Sequence, residues 1–338
     1  MKWNGSKTAD PLKAKGPERF KSNQSHLENY LFLLSSRDQI RNWLQAQGYT
    51  EVLIPCLHNE TVPDLNLESF SLKFQSVFEP KHQPELFLQT SPELLMKRLL
   101  AAGLEKIFYL GPAFRQGELS ELHHPEFTML EWYQQGADYL DLMAELEKML
   151  FELFGIPKIS RITMQEALRV SAGWDFLEWQ NRQQFSRFLK KKIPGLKTTG
   201  RDWPELFELA LLEWLDPWLR KQDAVFIYDW PAQMAMQGKL RDADPRLCER
   251  FELYLRGMEI ANGYTEETDS EEMLKRLKVE MKKRKKLGRK NVPLPEKFLA
   301  SLKLGLPNCA GVSLGLERLA MALRGLDSLD QLIPFREI

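Results

Sequence analysis

Three stretches of this 338-residue chain concentrate side chains able to do chemistry. The first runs Phe114-Arg115-Gln116-Gly117-Glu118 and resumes at His123-His124-Pro125-Glu126-Phe127-Thr128-Met129-Leu130-Glu131-Trp132-Tyr133. Arginine offers a planar fork suited to phosphate, and histidines add donors. At period two, Phe127, Met129, Glu131 and Tyr133 share one face, and Thr128, Leu130 and Trp132 the other. One face thus carries a flat ring, a carboxylate and a phenol in a row. A plain amphipathic strand with its polar side in water would alternate in the same way.

The second stretch spans Arg250-Phe251-Glu252, Gly257-Met258-Glu259-Ile260-Ala261-Asn262 and Gly263-Tyr264-Thr265-Glu266. Carboxylates on otherwise apolar strands suit an ammonium, or a hard cation such as Mg2+ held together with substrate phosphates. A solvated strand edge is the plainer reading. Strict alternation puts Glu252 and Glu259 on opposite faces, and Gly257 is where a bulge would realign them. In the third stretch, Gly311, Ser313 and Gly315 share one face and Val312, Leu314 and Leu316 the other. A ligand could approach the bare backbone of that small face, and Arg318 opens the helix beyond it.

The surrounding pattern supplies elements to position these groups. A helical stripe with Ile40, Trp43 and Leu44 stops at Gly48, and a strand over residues 49–54 ends at Pro55. A short strand over 86–88 leads to Ser91 as N-cap and Pro92 at the first position of a helix reaching Gly103. That places Glu93 where it interacts favourably with the helix dipole. A strand over 106–110 is followed by a turn at Gly111-Pro112. Asp138 caps a helix to Phe154 with Leu142, Met143, Leu146, Leu150 and Leu153 inward, and Thr163 with Glu166 forms a capping box. Residues 156–222 read as a helical, Trp-rich insertion, followed by a strand over 224–229. Residues 1–28 read as a loose arm before a domain over 29–338.

Composition sets outer limits. A 43% hydrophobic fraction with 28% charged residues describes a globular chain able to bury a full core. No apolar run approaches membrane-spanning length and no signal-peptide segment opens the chain, so a cytoplasmic location is expected. Cys56, Cys248 and Cys309 are few and far apart, which suits reduced thiols rather than a disulfide frame, with Cys56 in the core. Net charge is zero, which excludes a wholly electrostatic nucleic-acid binder. Ten basic residues and one acid nevertheless fall between Lys275 and Lys290. The segment 274–290 reads as a helix broken at Gly288, either solvated or docking an acidic protein or RNA.

Taken in order, these stretches resemble motifs 1, 2 and 3 of class II aminoacyl-tRNA synthetases, and specifically the lysyl branch. The resemblance implies an α+β fold: an antiparallel sheet of six to seven strands flanked by helices, dimerising through motif 1. It also implies ATP and Mg2+ as cofactors. Arg115 and Arg318 would be catalytic. Arg115, His123, His124, Phe127, Glu259, Ile260, Gly315 and Arg318 would bind ATP, and Glu252 and Glu259 the metal. Ser91, Pro92, Glu93, Glu131, Tyr133, Asn262, Tyr264, Glu266 and Ser313 would enclose lysine or β-lysine, with Glu131, Tyr133 and Glu266 on the side-chain amine.

A lysyl-tRNA synthetase carries an anticodon-binding OB domain before motif 1, whereas about 30 residues precede it here. The chain is thus most similar to the elongation factor P–(R)-β-lysine ligase family. That similarity implies activation of lysine or β-lysine as an adenylate and transfer to a lysine of a protein acceptor. Alternatives are a lysyl-type ligase acting on tRNA through the basic segment, and a non-catalytic amino-acid-binding paralogue with weakened ATP binding. Gln116-Gly117 replace the family's Asn-Glu, His123-His124 its His-Asn, and Glu317-Arg318 its Asp-Arg. Ser313 stands where synthetases carry glycine and the ligase alanine.

Overall fold

The computed structural model describes residues 24–79, 81 and 83–336. The expected arm over 1–28 lies outside these as far as residue 23, and from Gln24 the chain is already helical. That first helix, Gln24–Ala46, buries Leu33, Ile40, Trp43 and Leu44, and it ends before Gly48 with φ of 87°.

The strands are β1 (Thr50–Glu51), β2 (Leu57–His58), β3 (Ser71–Lys73), β4 (Glu85–Leu88), β5 (Lys106–Phe114), β6 (Glu126–Gln135), β7 (Ser160–Thr163), β8 (Ala224–Pro231), β9 (Leu247–Leu255), β10 (Met258–Thr265) and β11 (Cys309–Gly315). Eight of them form one sheet in the order β1-β5-β6-β11-β10-β9-β8-β7, and β2-β4-β3 form a small second sheet. The antiparallel centre agrees with the expected α+β architecture. The count rises to eight because the short edge strands β1 and β7 pair in parallel with β5 and β8.

Three local expectations are corrected. Gly111-Pro112 is not a turn: β5 continues through both to Phe114. Its outer edge is covered by β1 only at Ile107 and Phe108, so the N–H that Pro112 lacks is missing from an open edge. Glu252 and Glu259 do not lie on one strand. Arg256 and Gly257, with φ of 50° and 79°, form a two-residue hairpin turn between β9 and β10. The bulge that aligns the two carboxylates lies at Ile260, between the pairs Glu259↔Tyr254 and Ala261↔Leu253, not at Gly257. Finally, the helix Glu93–Ala101 starts at Pro92 without a side-chain cap.

Other signals read correctly. Asp138 and Thr163 each accept the expected cap hydrogen bonds in capping boxes. All three cysteines are free; Cys248 and Cys309 are buried, but Cys56, expected in the core, is only half-buried, which corrects that expectation. Between Met164 and Leu219 the chain forms helical segments packed by stacked aromatics, such as Trp203 on Phe207 at 4.9 Å.

One sheet face packs Leu130, Trp132, Phe251, Leu253, Val312 and Leu314 against the helices Gln24–Ala46, Tyr139–Phe154 and Leu316–Arg324. Leu142, Met143, Leu146 and Leu150 are fully buried there, so truncating any of them should cost about 2–5 kcal/mol. The opposite face carries a cavity. The helices Glu93–Ala101, Ser270–Lys286 and Glu296–Gly305 pack at one end of it, and the aromatic helical cluster at the other.

Candidate active site

Strand register builds the site. Ser313 on β11 pairs with Glu131 on β6 and with Asn262 on β10, and Asn262 pairs with Glu252 on β9. Directly paired residues project to the same side. Glu131, Ser313, Asn262 and Glu252 therefore form one polar row across four strands. The next row is Tyr133, Gly311, Tyr264 and Arg250. In the other direction Met129 pairs with Gly315, one step before Phe127 and Arg318. The face expected from period two is the face that lines the cavity, of about 650 Å³. It holds Ser91, Glu93, Arg115, Phe127, Glu131, Tyr133, Glu252, Glu259, Ile260, Asn262, Tyr264, Ser313, Gly315 and Arg318 together.

The Phe127 end is cationic and aromatic. The Arg115 guanidinium lies 5.1 Å from the centre of the Phe127 ring, and Glu118 approaches it at 3.7 Å. Arg318 lies 3.9 Å from Glu259. His123 and His124 do not reach the main cavity. They border a small adjoining pocket with Glu118, Phe127, Gly315 and Arg318. Burial lowers the His123 pKa, and Arg318 adds to the effect, which favours its neutral imidazole. Gly117 has φ of 88°, a left-handed conformation that the glutamate of the family pattern adopts only under strain.

The middle of the site carries carboxylates. Glu252 accepts from Arg250 at 2.5 Å and from the Tyr254 hydroxyl. Burial raises its pKa to about 7 against the pull of Arg250. Glu259 is partly open to the cavity. This hard-oxygen pair fits Mg2+, which takes one or two carboxylates and otherwise leans on substrate phosphates. Among the described residues no cluster of three or more His, Cys, Asp or Glu stands in a metal-binding arrangement. The Ser313 hydroxyl donates to the Asn262 carbonyl at 3.3 Å.

The third region holds three buried carboxylates, Glu93, Glu131 and Glu266. Glu131 accepts from the Tyr133 hydroxyl at 2.7 Å, and burial, reinforced by Glu93, raises its pKa to about 8. Glu266, expected to touch substrate directly, is set behind the cavity wall, its side chain wholly enclosed and its Oε2 2.5 Å from Lys97 Nζ. The same ammonium contacts Glu93, whose other oxygen accepts from Gln237 at 2.7 Å. Burial works against the Lys97 charge, but Glu266 and Glu93 override it and push its pKa up. Pro92 likewise does not border the cavity, because it serves to start the helix.

Lys97 and Gln237 complete the site although neither was singled out from the sequence, and Arg250 of the second stretch had no assigned role. Of these, only Lys97 left a signal in the sequence: it stands four residues after Glu93, the spacing of an ion pair on a helix. The basic segment forms the helix Ser270–Lys286, interrupted at Gly288 as expected. Two of its arginines face inward. Arg284, 2% exposed, donates to Glu68 and to carbonyls of residues 64, 67 and 290, and Arg276 pairs with Glu267 and Glu272.

One cavity on the sheet thus joins an arginine–aromatic end, suited to phosphate and a flat ring, to a carboxylate end suited to an ammonium. The chain belongs to the class II tRNA synthetases (D, K and N), the family that matches residues 24–338. Within that class it is similar to proteins named elongation factor P–(R)-β-lysine ligase. Identity is 37% over 297 residues with that of Vibrio cholerae serotype O1, covering 88% of this chain and 91% of that protein. It is 36% over 299 residues with that of Salmonella gallinarum, covering 88% and 91%. With that of Salmonella paratyphi A it is 35% over 311 residues, covering 91% and 95%. The chain is an enzyme of the ligase class.

Proposed function

We propose that this enzyme activates lysine or β-lysine with ATP and transfers it to a lysine of a protein acceptor resembling elongation factor P. The observation that carries the reading is the juxtaposition, on one sheet face, of Arg115, Phe127 and Arg318 with the Glu131–Tyr133 pair. The first group suits a nucleotide triphosphate and the second an ammonium. The names of relatives similar over about nine-tenths of the chain support the protein acceptor rather than tRNA.

No side chain need act as nucleophile. A substrate carboxylate oxygen attacks the α-phosphorus of ATP in line, the bond to the β-phosphate breaks, and pyrophosphate leaves. Arg115 stabilises charge developing on the phosphate, Arg318 holds the γ-phosphate end, and Phe127 stacks on adenine. Glu252 and Glu259 would hold Mg2+, which when bound neutralises phosphate charge. The acceptor amine then attacks the acyl carbon, loses a proton as the amide forms, and AMP departs. Throughout, Glu131 and Tyr133 fix the substrate ammonium, which sets the position of its carboxylate.

The test is isotopic pyrophosphate exchange with lysine and (R)-β-lysine, followed by mass measurement of elongation factor P and a parallel tRNA charging assay. The reading expects exchange with at least one amine and a mass increase on the protein. Absence of exchange with every amine would leave a binding protein, and charging of tRNA without protein modification would move the acceptor.

A further inference from the structure

A cation already sits beneath the carboxylate end of the cavity. Lys97 Nζ sits 2.5 Å from Glu266, contacts Glu93, and lies 3.4 Å from the side-chain amide oxygen (Oε1) of Gln237. Its side chain is 1% exposed, and it reaches this point from beneath, out of the helix Glu93–Ala101, with the Phe298 ring 6.0 Å from the ammonium. Stability does not explain the arrangement. Buried ion pairs of this kind are commonly matched or bettered by apolar residues of similar volume. Gly311 adds to the case, because a Cβ there would lie 2.6 Å from Glu266 Oε1 and 2.2 Å from the Tyr133 ring. The backbone has been left bare so that Glu266 and Tyr133 can stand side by side.

Of the three carboxylates, two are therefore engaged from below and one is not. Among the described residues Glu131 has only the Tyr133 hydroxyl as a hydrogen-bond partner, and it borders the cavity. We propose that Lys97 is a specificity-determining positioning residue: its ammonium neutralises and orients Glu93 and Glu266, so that the pocket admits a single substrate ammonium, at Glu131 and Tyr133. The built-in cation lies beneath the floor of the pocket, and the carboxylates it holds fix how far a substrate amine can penetrate. This rests on the amine-activating reading above.

The experiment uses Lys97→Ala, which empties the ammonium position, and Lys97→Met, which fills it with a neutral chain. Both are compared with the wild type in amine-dependent pyrophosphate exchange and in calorimetric binding of lysine and (R)-β-lysine. For each variant the KM for the amine should rise at least tenfold while the KM for ATP stays within about twofold. Propylamine at millimolar concentration should restore Lys97→Ala and leave Lys97→Met unchanged, because only the former has room for it. A wild-type amine KM in Lys97→Met, or failure of every primary alkylamine to rescue Lys97→Ala, would overturn the assignment. If the wild type shows no exchange with any amine, the activity reading fails. Lys97 is then decided by binding alone: tenfold weaker amine binding to Lys97→Met supports it, and equal binding overturns it.

Discussion

Both carboxylate oxygens of Glu317 accept the backbone N–H of Thr128, at 2.9 and 3.0 Å. This contact joins the first turn of the helix that presents Arg318 to the strand that presents Phe127. The group is 7% exposed, and burial raises its pKa. A charge-assisted hydrogen bond in such a place contributes about 1.5–3 kcal/mol. Glu317→Ala should lose about that much stability in urea unfolding, and its KM for ATP should rise more than its KM for the amine. Equal effects on the two KM values would show that the contact does not position the nucleotide end.

Amine binding should strengthen with pH. Burial sets the Glu131 pKa at about 8, so at pH 6–7 the ligand-free carboxyl is mostly protonated and must release a proton to hold an ammonium. The KM for the amine should therefore fall as pH rises from 6 to 8, and level off until the substrate amine itself loses its proton near pH 10. Stability of the ligand-free protein runs the other way. The unfolded carboxyl ionises near 4.5, so between about pH 5 and 8 the folded state holds more protons and stability falls as pH rises. Glu131→Gln should flatten the binding profile and reduce the slope of the stability profile, to which Glu252 also contributes.

Gly311→Ala tests the close approach at the floor of the site. The added methyl would meet Tyr133 and Glu266 at 2.2 and 2.6 Å, distances that force displacement. Overpacking of this kind costs about 1–3 kcal/mol, which denaturant unfolding would register. The KM for the amine should rise well above that of Glu317→Ala, with little change for ATP.

The loop after Arg115 makes a separate prediction. Restoring the family's glutamate with Gly117→Glu should not lower the KM for ATP, because φ of 88° at that position opposes any side chain. Glu118→Ala should raise it, since Glu118 borders the pocket with Phe127 and Arg318 and approaches Arg115. An improved KM in Gly117→Glu would mean that the loop rearranges when nucleotide binds.

For the cation, Glu259→Gln should raise the Mg2+ concentration needed for half-maximal exchange by tenfold or more without altering the unfolding midpoint. Glu259 is exposed enough that its charge has little structural role. An unchanged Mg2+ requirement would remove it from the metal site.

The sequence by itself determined which side chains share a strand face. Side-chain direction along a strand has a period of two, and a helix cap needs only its own neighbours. Phe127, Glu131 and Tyr133 on one side, Leu130 and Trp132 on the other, and the caps at Asp138 and Thr163 were legible for that reason. The bare face of residues 311–315 was legible too. Tertiary structure decided what these rows meet. The pairing of Glu131 with Ser313 joins strands more than a hundred residues apart in the chain, and no local period encodes such a register. The hairpin at Arg256-Gly257 and the bulge at Ile260 were set by pairing between strands, so counting along one strand put the realignment of Glu259 with Glu252 at Gly257 instead of Ile260. Lys97 is the clearest case. Its spacing from Glu93 marked a helical ion pair, but only the packing of β10 and the loop carrying Gln237 against that helix enclosed the ammonium among carboxylates. Desolvation by that packing, not residue type, sets the charge of Glu131 and thereby what the pocket can hold.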